Sequence, residues 1–481
     1  MTALDFTPAL PEIALLTAAC AILLIDLFVT DARRHVTYWL TQLALLLAAW
    51  LTLALFHPQR VRADHLFANM FVSDTLSDLL KLVIYGTVSL TLFYSRSYLA
   101  ARGLFRGETF VLILFSTLGM MVMISANHLL LLYLGLELMS LSLYALVALN
   151  RESPTSVEAA MKYFVLGALG SGLMLYGMSM LYGATGALDL NRLAQAVVAG
   201  RANTIILVFG LVFVVSGIAF KLGAVPYHMW IPDVYQGAPT AVTLFVGTAS
   251  KVAAFGFMMR LLTTALPAVS FEWQGMLMVL SLLSMVLGNI VAIAQTNMKR
   301  MLAYSAIANM GYMLLGFLGQ NSDGYSAAMF YIVAYVLTTL AGFGMILLLS
   351  RAGFEAEDLD DLKGLNQRSP WYAFMMLLTM FSLAGIPPTV GFYAKFVVIQ
   401  TIVDAGLIWL AVIAVLTSVI GAFYYLRIVK LMYFDDAVDH SPIEARGDNR
   451  LLLSLNGLAL LLFGVLPQPL MGLSIIALWS S

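Results

Sequence analysis

The sequence predicts an all-α polytopic membrane protein of about fourteen transmembrane helices, two of them broken and placed as if in two inverted five-helix repeats. Three observations carry this. Of 481 residues, 61% are hydrophobic and only 11% charged, with a mean hydropathy of +0.92, where a soluble domain is about 45–50% apolar and about 25% charged. Apolar runs of about 20 residues, enough to cross about 30 Å of hydrocarbon, recur along the whole chain. Two runs are far longer, and each holds proline close to a lysine.

The first run, 9–29, has no positive segment before it and is followed by Arg33 and Arg34. It therefore reads as a membrane helix rather than a signal peptide, with its N-terminus outside by the positive-inside rule. Further runs fall at 37–56, 77–98, 109–126, 128–149, 159–182, 204–236, 240–262, 273–296, 299–318, 325–350, 371–403, 406–432 and 451–479. Loops assigned inside hold Arg33, Arg34, Arg96, Arg102, Arg106, Arg151, Lys299, Arg300, Arg351, Lys363, Arg368, Arg427, Lys430, Arg446 and Arg450. Those assigned outside hold Arg60, Arg62, Arg192, Arg201 and Arg260, a threefold bias that places both ends outside. The chain divides into an N-terminal three-helix segment, 1–108, two repeats, 109–262 and 273–432, and a C-terminal helix, 451–481.

Composition also excludes several classes of function. A net charge of −1 with no basic run longer than two residues gives no footprint for nucleic acid. One cysteine, Cys20, cannot hold an iron–sulfur cluster, a Cys-rich zinc site or an intrachain disulfide. The six histidines are scattered, so no metal is expected, and no nucleotide fingerprint opens a soluble domain. Any redox or nucleotide chemistry served by this chain belongs to other chains.

Charges inside the apolar runs are the informative residues. An ionised side chain at a bilayer centre costs about 2.5–3.5 kcal/mol on insertion scales, so it needs a partner or a task. Lys81 reads as structural, one turn from Asp78 near the outer end of its segment, where an i,i+3 pair or snorkelling costs little. Lys162, in the first turn of segment six, reads equally as a snorkelling inner flank. Lys251, midway along TAVTLFVGTASKVAAFGFMMRLL, and Glu137, midway along HLLLLYLGLELMSLSLYALVAL, are too deep for snorkelling. The alternative for them is a static ion pair between helices.

Segments seven and twelve, each about 33 residues long, hold Lys221 before Pro226 and Lys395 after Pro387 and Pro388. Proline removes a backbone donor and clashes with the preceding turn, so both helices are expected to break beside a lysine. Paired interruptions in corresponding positions point to an inverted-repeat transporter. The five-segment spacing gives units of segments four to eight and nine to thirteen, with the odd number inverting the second. The glycine patches at 167–172 and 341–344 and the 27 methionines read as helix packing. The stretches 356–365 and 435–450 read as solvated inner loops available to a soluble partner.

Six motifs together resemble the antiporter-like proton channels of respiratory complex I. They are LGLELMSLSLYALVAL around Glu137, EAAMKYFVLGALGSG at 158–172, FKLGAVPYHMWIPDVYQGAPT at 220–240, SKVAAFGFMMR at 250–260, NMKRMLAYSAIANMGYMLLG at 297–316 and SLAGIPPTVGFYAKF at 382–396. The resemblance covers essentially the whole chain. It implies that Glu137 and Lys221 form the acid–base pair of a first half-channel, that Lys251 connects, and that Lys395 ends the second half-channel. Lys162 matches a family lysine, and His228 and Tyr304 are secondary candidates. It further implies no cofactor on this chain, with NADH, FMN, iron–sulfur clusters and quinone handled by other subunits. The implied partners are the antiporter-like subunits M and L and the small subunits K and J, in a bacterial inner membrane with both termini periplasmic. Relatives of type M carry glutamate at the position of Lys395, and type L carries a long C-terminal lateral helix absent here. Members commonly have histidine where this chain has Asn309, which leaves water or Tyr304 to serve there.

The expected function is proton translocation coupled to electron transfer from NADH to quinone, in which Glu137 holds Lys221 protonated and separation of the two sends the proton toward Lys251 and Lys395. The alternatives are a stand-alone Mrp-like cation/proton antiporter, which would use the same buried charges, and a structural scaffold.

Overall fold

The computed structural model describes residues 6–56, 64–437, 439–441, 443 and 447–478. Among them, thirteen helices are long and apolar enough to cross a membrane. They include α1 (Leu10–Asp26), α2 (His35–Leu55), α3 (Thr75–Ala101), α4 (Gly107–Ile124), α5 (Leu129–Val147), α6 (Pro154–Thr185) and, after a short surface helix α7 (Leu190–Val198), α8 (Thr204–Leu222). A small hairpin, β1 (Asp64–Leu66) with β2 (Phe71–Ser73), precedes α3. Polar caps fix the helix starts: Asp74 with Ser77 in a capping box on α3, Ser153 ahead of Pro154 on α6, and Asn203 on α8.

Segment seven is broken as expected, into α8 and α9 (Trp230–Gly237). The helix ends earlier than its proline, at Gly223, whose φ of 74° only glycine adopts without strain. Segment eight, expected as one helix, is interrupted at Thr248 between α10 (Thr240–Gly247) and α11 (Ala249–Met259) and ends in a π-helical turn, Arg260–Ala265. Next come α12 (Ser270–Ile293), α13 (Met298–Leu318), α14 (Ser322–Leu349) and the short α15 (Leu365–Arg368).

Segment twelve is two half-helices, α16 (Pro370–Ala384) and α17 (Val390–Asp404), parted at Gly385 with φ of 81°. The long α18 (Ile408–Phe434) follows. The last segment, expected as one helix, is α19 (Gly447–Val465) and α20 (Gln468–Leu478), because Pro467 interrupts it.

The spans Thr240–Ala265, Met298–Leu318 and Ser322–Leu349 form the centre of the bundle, nearly all of their residues buried. Outward faces such as Val412, Val415, Val419 and Phe423 of α18 expose apolar side chains, as lipid contact requires. Helices α4 and α5 touch backbone to backbone: a methyl group on Gly119 would lie 2.8 Å from the Gly135 carbonyl oxygen. In the glycine patch at 167–172, Gly170 lies against the ring of Phe220.

Three charges differ from expectation. Arg260, placed above in an outer loop, is buried, and its guanidinium forks onto Asp74, Nη1 to Oδ2 at 2.6 Å and Nη2 to Oδ1 at 2.5 Å, with Nε donating to the Ile124 carbonyl at 3.0 Å. Lys81 does not snorkel: it is fully buried, with Nζ 2.6 Å from Glu12 Oε1 on α1. Lys299, assigned to an inner loop, is buried against Glu357 at 2.9 Å. Arg260 and Lys299 therefore drop out of the loop-charge comparison, and Arg60, Arg62 and Arg446 lie outside the described residues.

The inner stretches are more anchored than solvated. Leu359, Leu362 and Leu365 are buried, and Asp439 is ion-paired with Arg351 at 3.1 Å and Arg368 at 3.2 Å.

Removing one member of a buried pair strands the other charge, at about 3–5 kcal/mol. Arg260→Leu should therefore lower the melting temperature of the assembled protein in detergent. Asp74→Asn, which keeps the helix cap, should restore part of that loss when combined with it.

Candidate functional site at the ends of two broken helices

When α8 stops at Gly223, the last carbonyls of the helix lose their intrahelical donors, and in a bilayer water is not there to replace them. Lys251 of α11 supplies the donor. Its fully buried amine donates to the carbonyls of Leu222 at 2.8 Å and Lys221 at 3.3 Å, and sits 5.1 Å from the ring centroid of Trp230. The ring is itself fixed by its indole N–H, which donates to the Phe220 carbonyl at 2.9 Å. On the other side of the break, the Val225 N–H donates to Ser284 Oγ of α12 at 2.9 Å.

The second break repeats the chemistry with different parts. Lys395 donates to the carbonyls of Leu383 and Ala384 and to Ser418 Oγ of α18, each at 3.0 Å, with the Tyr312 ring centroid 4.9 Å away. Here the lysine comes from the downstream half-helix, whereas Lys251 comes from a separate helix. In both, a cation sits at the negative end of a half-helix dipole. An ammonium has three protons to donate, matching the three oxygens around Lys395, and a neutral amine has two. The Ser418 hydroxyl in turn donates to the Ala384 carbonyl at 3.3 Å.

Lys221 and Glu137 are brought near one another but form no ion pair. The Lys221 amine donates to Ser140 Oγ at 2.8 Å and lies 3.5 Å from Ser171 Oγ. Ser140 stands one turn along α5 from Glu137. Glu137 is half-buried, and its Oε1 has no hydrogen-bond partner. Leu130, Leu134 and Leu141 on the same side of α5 are exposed, but Glu137 Oε1 is itself buried.

Lys162 stays apart from the buried amines. Its side chain is 44% exposed and paired with Glu158 at 2.8 Å and Asp233 of α9 at 2.7 Å, and Arg300 holds the other oxygen of Asp233 at 2.8 Å. Lys162, Glu158 and Asp233 line an open cleft of about 250 Å³ with Gln236 and Glu357. His228 lies half-buried between the two halves of segment seven, its Nδ1 without a partner.

The hydrogen-bond partners of Asn309 are residues other than Tyr304. Asn309 instead accepts from the Tyr331 hydroxyl at 2.7 Å and donates to the Ser305 carbonyl at 2.8 Å, while Ser305 Oγ is 2.6 Å from the Tyr425 hydroxyl. Tyr304 neighbours Ser305 in sequence but points to another face of α13, and the ring that meets Asn309 comes from α14. Sequence reading also missed Ser140 and Ser418. The only available signal was a small hydroxyl at helical spacing from a buried charge, as Ser140 is from Glu137.

Buried amines held by neutral oxygens at the ends of broken helices define an ion-translocating membrane subunit of the antiporter-like class. Residues 126–421 match the family model described as "NADH:quinone oxidoreductase/Mrp antiporter, TM". NADH-quinone oxidoreductase subunit N of Nitrosomonas europaea is 59% identical over 99% of this chain and 98% of its own length. In the structure of respiratory complex I from Thermus thermophilus with bound aureothin, one chain aligns with a TM-score of 0.82 at 31% identity, covering 96% of this chain and 98% of that one. A chain of the Mrp complex from Dietzia sp. DQ12-45-1b aligns at 0.79 but 22% identity, over 99% of this chain and 97% of its own, and so shows the shared fold alone. The chain belongs to the NADH-quinone oxidoreductase subunit N family. It is a membrane subunit of a proton-translocating NADH:quinone oxidoreductase.

At Gly385 any other residue must adopt a left-handed backbone, at about 1–2 kcal/mol, and its Cβ would lie 2.8 Å from Lys395 Cδ. Gly385→Ala is therefore expected to leave the complex assembled, with NADH oxidation by an artificial acceptor unchanged, and to lower protons translocated per NADH toward the value of Lys395→Met.

Proposed function

We propose that Glu137, Lys221, Lys251 and Lys395 carry the protons that this subunit moves. The observation that carries the reading is the surroundings of Lys251 and Lys395: each amine is buried and bound only to carbonyl, hydroxyl and ring groups. A carboxylate in direct contact would hold an ammonium charged, whereas desolvation among neutral dipoles brings the charged and neutral forms closer in free energy. Lys221 is the switch. With Glu137 one turn beyond its Ser140 partner, the ammonium is favoured; withdrawal of that negative charge leaves a desolvated cation that gives up its proton. Lys251 is the receiver, since it is bonded to the backbone carbonyl of Lys221 itself and the two amines flank one helix end.

In this reading the chain forms two inverted units, 109–262 and 273–432, with an N-terminal segment, 1–108, and a C-terminal one, 451–481, and Lys395 releases the proton. Lys162 and Asp233 line an inner cleft at the foot of α9, where water meets the first unit. NADH, FMN, iron–sulfur clusters and quinone are handled by other subunits. Subunits M, L, K and J are the membrane partners. The membrane is the bacterial inner membrane, with both termini periplasmic. Release against the membrane potential costs about 2.3 kcal/mol per 100 mV for each charge, so conformational change elsewhere in the enzyme supplies the drive.

Lys221→Met and Glu137→Gln should each lower protons translocated per NADH in inverted vesicles of the assembled enzyme, without loss of NADH oxidation by an artificial acceptor. Pumping at the wild-type ratio with either variant would sink the proposal.

A further inference from the structure

Next to Lys395 lies a cavity of about 10 Å³ whose walls include Asn309, Tyr331, Tyr335, Thr338 and Ser382. That volume is at the lower bound for one water, and the walls offer more than the two to four polar partners that a buried water uses. Asn309 cannot pass a proton on: a neutral amide has no proton to exchange near pH 7, its Nδ2 is committed to the Ser305 carbonyl, and its Oδ1 only accepts. What the amide does is hold a hydroxyl. Tyr331, buried on α14, donates to it at 2.7 Å from the wall of the same cavity as the Lys395 amine.

We infer that Tyr331 is the hydroxyl through which a proton enters this cavity and reaches Lys395, and that Asn309 is its positioning residue. The inference rests on the reading of Lys395 as a proton-carrying site. The step begins when the Tyr331 O–H turns from Asn309 to a cavity water. A proton passes from that water to the neutral Lys395 nitrogen, forming the third N–H bond; the phenol proton passes to the water as its O–H bond breaks. The Tyr331 oxygen takes in turn the incoming proton that the subunit is translocating. Each oxygen in the cavity ends with as many protons as it began with, and the net change is one translocated proton taken up and one proton gained by Lys395. Transfers between Tyr331, the water and Lys395 need partners within hydrogen-bond reach or one water away, and both residues line the same water-sized cavity. In the resting arrangement the hydroxyl is turned to Asn309, so the amide keeps the route closed until that bond is given up.

The test uses the assembled enzyme in inverted vesicles. Tyr331→Phe removes one oxygen and is expected to lower protons per NADH by the same fraction as Lys395→Met, with artificial-acceptor activity unchanged. If Lys395→Met pumps normally, the reading beneath the inference fails. If Lys395→Met lowers the ratio and Tyr331→Phe does not, the inference alone is overturned. A fluorinated tyrosine incorporated at 331 keeps the ring and the hydrogen bond but makes the phenol more acidic. The pumping–pH profile should then shift to lower pH, and an unmoved profile overturns the relay. Asn309→Leu, which leaves the hydroxyl unheld, should lower the ratio less than Tyr331→Phe does, and Asn309→Gln, which keeps an amide acceptor, should recover it. A Gln variant no better than Leu overturns the positioning role.

Discussion

A helix that stops inside a membrane must find donors for its last carbonyls, and a lysine inside a membrane must find acceptors for its protons. The two requirements meet at Gly223 and Gly385, where each satisfies the other. Neither is tolerable alone. An ammonium at mid-bilayer costs about 2.5–3.5 kcal/mol on insertion scales, while hydrogen bonds to a charged group contribute about 1.5–3 kcal/mol each. Two or three such bonds are enough to offset that cost. The place of the amine is therefore tied to the geometry of the break.

The bundle holds other buried cations, and their surroundings differ from those of the lysines at the breaks. Lys81 meets Glu12, Arg260 meets Asp74 and Lys299 meets Glu357, each within 3 Å. Such pairs are locked, because moving the proton would leave a buried charge uncompensated. They join elements far apart in sequence, α1 to α3 and the end of segment eight to the start of α3, and so fix the frame in which the breaks sit. Lys221, Lys251 and Lys395 have only hydroxyls, carbonyls and rings within reach. A static ion pair, the plain alternative for a buried lysine, describes the first group and not the second.

This division also explains what was legible in the sequence. Charges in apolar runs and prolines beside them are local signals, and they located segments seven and twelve and the three lysines. Arg260 and Lys81 were misread because their partners stand 186 and 69 residues away, and no local pattern announces such a contact. The acceptors of Lys251 and Lys395 are backbone oxygens, which every residue has. The break falls at glycine because glycine reaches the left-handed conformation that ends a helix, while the proline after it only prevents resumption. At Asn309 the neighbour along the chain was the natural guess, and the ring that meets it comes from the next helix, 22 residues on. The interruption at Thr248 has no such account: no proline lies within it, and its cause is not evident from the residues around it.

The two breaks look alike but differ in what they bind together. Ten residues past each left-handed glycine stand Asp233 and Lys395. Lys395 turns back to the carbonyls of its own broken helix, so α16 and α17 are joined through the amine. Asp233 turns away, to Lys162 of α6 and Arg300 of α13, and the carbonyls of α8 are met instead by α11. The first break is thus held between three neighbouring helices, and any shift of α6, α11 or α13 bears on it. The second is closed by its own lysine, with Ser418 of α18, the Tyr312 ring of α13 and Thr338 of α14 bonded to Ser382 as its ties to neighbouring helices. Motion arriving from elsewhere in the enzyme acts more directly on the first break. On the proposed reading of Lys395, the second break is the one whose own lysine carries the proton.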